Sequence, residues 1–374
     1  MDVLVAGAGF AGAVMAERLA EGYGLSCLVV DRRAHLAGNA HDARDGTGIR
    51  VHSYGPHWFR TGSERVRTYL SRFTEWRPVE YRVLAHARGR YWSFPVNLAT
   101  YEQLVGRAAT ADEMRAALAR WRVPIARPAN SEEAVLAQVG PELYRLFYEG
   151  YTRKQWGMDA RALDASVCAR IPVRTDRVER WFDDPFQALP RDGYTALFER
   201  MLRHPRIRVE LGTDFRAARA QVRARHVVYT GMIDELFDFR FGRLPYRSLR
   251  FERETLAQEQ FQPAMQVNYP GDEPWTRIVE YKHATGDESA PRDRTTIVRE
   301  HPEAHAPGRE AYYPMPTAAA RAQYARYAEV AAAERDVTFV GRLATYRYWN
   351  MDQVVAQALA EAERLGPRLA ARAA

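Results

Sequence analysis

The sequence predicts an α/β protein: a doubly wound sheet that holds a dinucleotide, carrying an inserted helical domain and an antiparallel β-sheet domain. Three observations predict it. The N-terminus reads strand, glycine turn, helix, strand; residues 97–165 are helical in pattern throughout; and residues 246–314 alternate as antiparallel strands do. With 374 residues, 47% hydrophobic and 27% charged, the chain can bury a sizeable core and is unlike a disordered, collagenous or membrane protein. The formal charge is +7, and Lys154 and Lys282 are the only lysines among 54 basic residues, so the basicity is arginine. It is dispersed rather than gathered in runs with interleaved aromatics, which argues against a nucleic-acid partner. Cys27 and Cys168 supply no disulfide or metal framework, and no apolar run is long enough to span a bilayer. Residues 2–7 read as a buried strand and leave no place for a signal peptide, so a cytoplasmic protein is expected.

The first strand ends at Gly7 and enters Gly7-Ala-Gly9-Phe10-Ala-Gly12, which is followed by the apolar-periodic Val14, Met15 and Leu19. In a Rossmann-like unit the first glycine permits the tight turn, the second lets a pyrophosphate approach the backbone, and the third lets helix and strand pack closely. A second strand, Leu25 to Val30, closes on Asp31, where a carboxylate accepts hydrogen bonds from a ribose and repels a 2′-phosphate. FAD or NAD is therefore expected over NADP. FAD is preferred because Val340-Gly341-Arg342 closes a late strand and a helix from Met351 aims its N-terminal amides at an electron-rich flavin edge.

The remaining elements follow in order. Residues 63–77 read as a helix and 79–95 as short strands ending at Pro95. In the helical stretch 97–165, Pro124 and Pro128 are breaks; residues 166–192, with Pro172, Pro185 and Pro190, read as loop and as a candidate mobile lid. The sheet then resumes with a helix from Gly193, a strand Ile207 to Leu211, and a strand from His226 that ends at Gly231. After the alternating segment come a helix from Thr317 to Ala333, a strand from Val337 and a helix from Met351 to Leu365. The expected domains are a discontinuous FAD-binding domain (1–77, 193–242 and 315–374), a helical domain (97–192, with the mobile loop at 166–180) and a sheet domain (78–96 and 243–314).

The chain resembles the UDP-galactopyranose mutase family essentially end to end. The resemblance rests on Gly38-Asn39-Ala, Tyr54-Gly-Pro-His57, Glu149-Gly-Tyr-Thr-Arg-Lys-Gln-Trp-Gly157, Arg170-Ile-Pro-Val-Arg174, Tyr246-Arg-Ser-Leu249, Trp275-Thr-Arg-Ile-Val-Glu280, Tyr312-Tyr-Pro314 and Gly341-Arg-Leu343. It implies interconversion of the pyranose and furanose forms of a UDP-sugar. In that family the reduced flavin N5 attacks the anomeric carbon, expels the nucleoside diphosphate, and holds the sugar covalently while its ring reopens and recloses. No net electrons move, though NADPH or NADH must first reduce the flavin, and a homodimer is expected because the family is often dimeric. By the same resemblance Arg170 and Arg277 contact the diphosphate, with Arg247 and Arg342 as further arginines of the site. Phe147, Tyr151, Thr152 and Trp156 belong to the uridine pocket. Asn268, Tyr313 and Tyr348 lie near diphosphate and sugar, and His57 near the flavin. Arg32, Gly38, Asn39, Gly231 and Met351 complete the cofactor set.

Four positions depart from the family pattern. Arg60 replaces a histidine, Tyr81 an asparagine, Trp181 a tyrosine and Asn350 an aspartate. The changes at 60 and 350 predict a more positive pocket, and those at 81 and 181 a bulkier one. The expected sugar is therefore galactose or a deoxy, pentose or carboxylated relative. Two other readings are a conventional FAD-dependent oxidoreductase, distinguished by net redox turnover, and a degenerate homologue that binds nucleotide sugars without turning them over.

Overall fold

The computed structural model describes residues 1–286 and 290–371; residues 287–289 and 372–374, which fall in the expected segments 243–314 and 315–374, lie outside the described residues. Five strands build the doubly wound sheet in the order Ile207–Leu211, Cys27–Asp31, Val3–Ala6, His226–Tyr229, Val337–Phe339, every neighbour parallel. A sheet covered on both faces by helices needs apolar residues on both faces of its strands. Val3–Ala6 and His226–Tyr229 are accordingly buried at every position. Helices Phe10–Tyr23 and Met351–Ala371 share one core cluster on this sheet, through Val14, Met15 and Leu19 on one and Val355, Ala358 and Leu359 on the other.

The glycine turn is dictated sterically. Gly7 has φ +106°, a conformation that L side chains rarely adopt, and a Cβ at Gly12 would lie 1.9 Å from the carbonyl oxygen of Gly7. The third glycine is thus the close-packing position between strand and helix.

The helical insertion comprises Leu98–Val105, Ala111–Trp121, Ser131–Leu143 and Gly150–Trp156, the first three capped by the side chains of Asn97, Thr110 and Asn130. Between the last two lies a π-helical turn, Tyr144–Glu149. A seven-stranded sheet completes the molecule in the order Tyr313–Pro314, Tyr246–Leu256, Thr295–Ala304, Arg277–Glu280, Gln266–Asn268, Val83–Ala87, Arg90–Phe94. It is antiparallel except that Gln266–Asn268 runs parallel to Val83–Ala87. A parallel pair needs a long crossover, and residues 88–265, including the helical insertion and two strands of the doubly wound sheet, intervene between these two strands.

Two local expectations are corrected. The helix expected over 63–77 spans only Glu64–Leu70, and Trp76–Pro78 is instead a strand. The loop expected over 166–192 contains one helical turn, Ser166–Ala169, and a strand, Phe186–Pro190, that pairs antiparallel with both Phe59–Thr61 and Trp76–Pro78. Partners distant in sequence made this three-stranded sheet, and proline at its ends masked it. Among the described residues no helix is long and apolar enough to cross a membrane.

Gly12→Ala tests the turn. Overpacking at a site this tight destabilises by about 1–3 kcal/mol, read as a lower urea midpoint; a variant as stable as the parent would show that the turn relaxes freely.

Candidate active site

A cavity of about 1390 Å³, counted with its open mouth, lies at the C-terminal edge of the doubly wound sheet, where such sheets bind ligands. Gly7, Gly9, Phe10, Asp31, Arg32, Gly38, Asn39, His57, Gly231, Gly341, Arg342 and Met351 all line it. Gly12 does not, because it lies behind the turn against Gly7. Helix Phe10–Tyr23 starts at Gly9 without a side-chain cap, so its first amides stay free to face an anion in the cavity. At the far end Asp31 accepts from the amides of Ala8 and Arg33, both at 2.9 Å, tying the glycine turn to the loop beyond the second strand.

Arg32 is half-exposed and pairs with Glu310 at 3.3 Å. Its neighbour Arg33 is more deeply placed: Nη2 donates to Glu310 at 2.8 Å and to Asn39 Oδ1 at 2.9 Å, and the guanidinium lies 4.3 Å from the centre of the Tyr54 ring. Sequence reasoning missed Arg33 and Glu310. Arg33 carried the weak signal of a second arginine after Asp31, whereas nothing local marked Glu310.

At the opposite end His57 donates from Nδ1 to the carbonyl of Gly55 at 2.9 Å, leaving Nε2 as an acceptor, and burial pushes its pKa down to about 3. His52 beneath it is 2% exposed, accepts the His57 amide at 3.0 Å, and is pushed by burial down to about 4. Both rings are therefore neutral near pH 7.

Beyond this end the arginines converge. Arg277 is partly buried, its side chain 15% exposed, with Nε 3.3 Å from Glu300, Nη2 3.4 Å from Gln155 Oε1, and Cζ 6.0 Å from the Tyr151 ring centre. Burial works against its charge, but Glu300, together with Tyr151, Tyr313 and Tyr81, more than offsets it, and the guanidinium stays cationic. Arg170 lies over Tyr348 at 4.6 Å, and Arg342 lies 5.2 Å from the same ring and 5.5 Å from Tyr313. Arg342 is held by donating to the carbonyls of Trp349 and Tyr312. Tyr313 and Tyr348 stack at 5.3 Å, with Trp156 about 6.2 and 6.1 Å from them. Burial alone would raise the Tyr348 phenol; Arg170, Arg342 and Arg277 together outweigh it and hold the phenol below its ordinary value. Because Arg342 belongs to both groups, the cofactor cavity and the arginine cluster are continuous.

A family model described as UDP-galactopyranose mutase matches residues 146–348, and one described as NAD(P)-binding Rossmann-like domain matches residues 5–73. The chain is 38% identical over 365 residues to a "Probable UDP-galactopyranose mutase" of Klebsiella pneumoniae, covering 97% of this chain and 94% of the relative. The chain belongs to the UDP-galactopyranose mutase family. It is also 37% identical over 365 residues to a dTDP-fucopyranose mutase of Escherichia coli, covering 96% of each. In fold it matches a crystal structure of reduced UDP-galactopyranose mutase with a TM-score of 0.78 at 16% identity, over 99% of this chain and 98% of the other. A putrescine oxidase double mutant shares the fold less closely, at a TM-score of 0.60 and 14% identity over 97% and 98%.

The other residues expected from the mutase resemblance divide into two groups. Asn268 is the cross-strand partner of Arg277 and so joins the cluster. Thr152 lies 3.7 Å from Cys168 Sγ. Phe147 packs against Trp92 and Phe94 in the core of the helical insertion, supporting the pocket from behind. Arg247 donates to the carbonyls of Gln155 and Lys154, so it caps the last turn of helix Gly150–Trp156.

The departures also resolve. Arg60 forms an ion pair with Asp184 at 2.6 Å and lies over the Phe182 ring at 3.7 Å, so the positive charge expected from this position is cancelled by a partner remote in sequence. Asn350 precedes helix Met351–Ala371 and bonds Gln353 Oε1 through its amide at 2.9 Å. Tyr81 donates to Gln266 Oε1 at 2.6 Å and faces Trp58, Trp181 and Phe182.

The neutral His52 makes a prediction. Its folded pKa of about 4 lies below the ordinary 6.5, so between those values the unfolded chain binds more protons and stability falls as pH falls. The expected loss is up to ~1.4 kcal/mol per pH unit, and His52→Phe flattens the curve of unfolding free energy against pH between 6.5 and 4.5. An unchanged slope in that variant would assign the loss to other groups.

Proposed function

We propose that this enzyme interconverts the pyranose and furanose forms of a nucleoside-diphosphate sugar, UDP-linked by the match of its nucleotide segment, without net redox change. The convergence of Arg170 and Arg342 on the Tyr313–Tyr348 stack beside the cofactor cavity, with Arg277 near Tyr151 and its charge felt by both stacked phenols, carries this reading. Glu300 is the carboxylate facing Arg277, so the cluster retains positive charge for a departing diphosphate, whose geometry suits guanidinium groups.

The cavity fits FAD: uncapped helix amides face the pyrophosphate position, Asp31 faces a ribose, and neutral His57 presents an acceptor at the ring end. A reduced flavin held there supplies the nucleophile that displaces the diphosphate from the anomeric carbon, with NADPH or NADH as external reductant. Arg170 and Arg277 hold the displaced diphosphate until it returns. Tyr151 offers its ring to the base. Arg170 lies in the loop 166–180 and Trp181 just beyond it; this loop closes over the site and excludes water.

The sugar is a galactose relative that lacks a hydroxyl, such as a 6-deoxy hexose or a pentose. Tyr81 stands where asparagine is usual, its hydroxyl is consumed by Gln266, and three aromatic rings surround it. An extra buried sugar hydroxyl without a partner there costs about 1–3 kcal/mol. The Arg60–Asp184 pair removes the reason to expect a carboxylated sugar. The relative named for dTDP-fucopyranose, itself a 6-deoxy sugar, supports the same choice.

Chromatography of nucleotide sugars after incubation with dithionite-reduced protein tests this. UDP- or dTDP-linked deoxy sugars and UDP-pentoses are expected to be turned over with at least tenfold higher kcat/KM than UDP-galactopyranose. Equal efficiency sinks the sugar assignment, and substrate oxidation in place of isomerisation sinks the mutase reading. Arg277→Lys is expected to lower kcat/KM by about 100-fold while retaining flavin, matching the ~3 kcal/mol scale of a charged hydrogen-bonding group.

A further inference from the structure

In a chain whose basic residues are otherwise arginine, lysine survives at two positions, and both do the same thing. Lys154 Nζ donates to three backbone carbonyls, of Tyr269 at 2.7 Å, Glu273 at 2.9 Å and Trp275 at 2.9 Å. Lys282 Nζ likewise donates to the carbonyls of Glu259, Pro291 and Arg294, at 3.0, 2.7 and 2.9 Å. An ammonium offers three donors diverging from one atom, whereas a guanidinium offers a planar fork. Three carbonyls converging on a point therefore select lysine.

The Lys154 cage joins two parts of the candidate site. Lys154 lies on helix Gly150–Trp156, which carries Tyr151, Thr152 and Trp156. The three carbonyls belong to the turn between strands Gln266–Asn268 and Arg277–Glu280, which carry Asn268 and Arg277. A second contact joins the same elements, because a Cβ at Gly150 would lie 2.1 Å from the carbonyl oxygen of Pro270. On its other side the helix is held by Arg247, which donates to the carbonyls of Lys154 and Gln155.

We propose that Lys154 is a positioning residue that fixes the helix bearing the base-stacking Tyr151 against the hairpin bearing Arg277, and so sets the spacing between base and diphosphate subsites. This rests on the function proposed above. A nucleoside diphosphate spans both subsites, whereas the ring-contraction step takes place at the sugar beyond them. Loss of the cage therefore weakens nucleotide binding more than turnover.

The test compares flavin-loaded parent, Lys154→Met, Lys154→Arg and Lys282→Met by calorimetric titration with UDP and by steady-state kinetics under reducing conditions. Lys154→Met is expected to raise the UDP Kd and the nucleotide-sugar KM about tenfold, with kcat within threefold and flavin content unchanged. Lys154→Arg, which keeps the charge, is expected to raise Kd by at least threefold, since the fork cannot meet three converging carbonyls; it decides alone if the methionine variant fails to fold. Lys282→Met has the same cage chemistry at carbonyls the site does not use, and is expected to lower the melting temperature while leaving UDP affinity within twofold. Lys154 variants with parental UDP affinity, or a fall in kcat with unchanged Kd, overturn the proposal. A parent protein that binds neither UDP nor dTDP overturns the functional reading instead.

Discussion

A guanidinium largely buried at the centre of a sheet is the constraint around which the site is arranged. Removing Arg277 from water is costly unless other groups compensate it. Glu300, on the adjacent strand and in register with Arg277, supplies the largest single share of that compensation, with Tyr151, Tyr313 and Tyr81 adding to it. Burial pushes the Glu300 carboxyl up, and Arg277 is the charge that offsets part of that rise. Each charge is thus the condition for the other. Arg170 and Arg342 then add positive charge that the protein answers with aromatic faces and backbone carbonyls rather than with acids. Such a cluster is tolerable when an anion completes it, which is why the charge balance points to a diphosphate and not to a neutral substrate.

The two sheets divide the work. The parallel sheet offers the uncapped start of helix Phe10–Tyr23 and the carboxylate of Asp31, which suit a dinucleotide lying along its C-terminal edge. The mixed sheet offers a row of side chains fixed by register: Asn268 opposite Arg277, and Arg277 opposite Glu300. Register is strict in a buried sheet because a slip of one residue reverses every face. Arg342 and His57, at the ring end of the cavity, lie where the two sheets' contributions meet.

What the sequence made legible was local. Gly7, Gly9, Gly12 and Asp31 form a pattern whose steric and electrostatic reasons act over a few residues; Gly7, Gly9 and Asp31 line the cavity, while Gly12 packs behind the turn. What it hid was long-range. Glu300 is one acid in an alternating strand, and only pairing with Arg277 gives it meaning. Arg60 is cationic in isolation, but the fold brings Asp184 to it and cancels the charge. Phe147 shares a segment with Tyr151, yet the π-helical turn that contains it directs its ring into the core of the helical insertion, toward Trp92 and Phe94. The strand Phe186–Pro190 escaped notice because its pairing partners lie more than a hundred residues earlier.

Hydrogen-bond polarity extends the same logic to the least conspicuous member of the row. The Tyr81 hydroxyl donates to Gln266 Oε1, which leaves Gln266 Nε2 to donate to Asn268 Oδ1 at 2.8 Å. That contact fixes the Asn268 amide with Oδ1 toward Gln266, which leaves the Nδ2 donors turned away from Gln266 to join Arg277. A row of donors matches a diphosphate, whose oxygens only accept. On the proposed function, the residue that adds bulk beside the sugar thus also orients a donor toward the nucleotide, and Tyr81 connects which sugar fits to how its nucleotide is held.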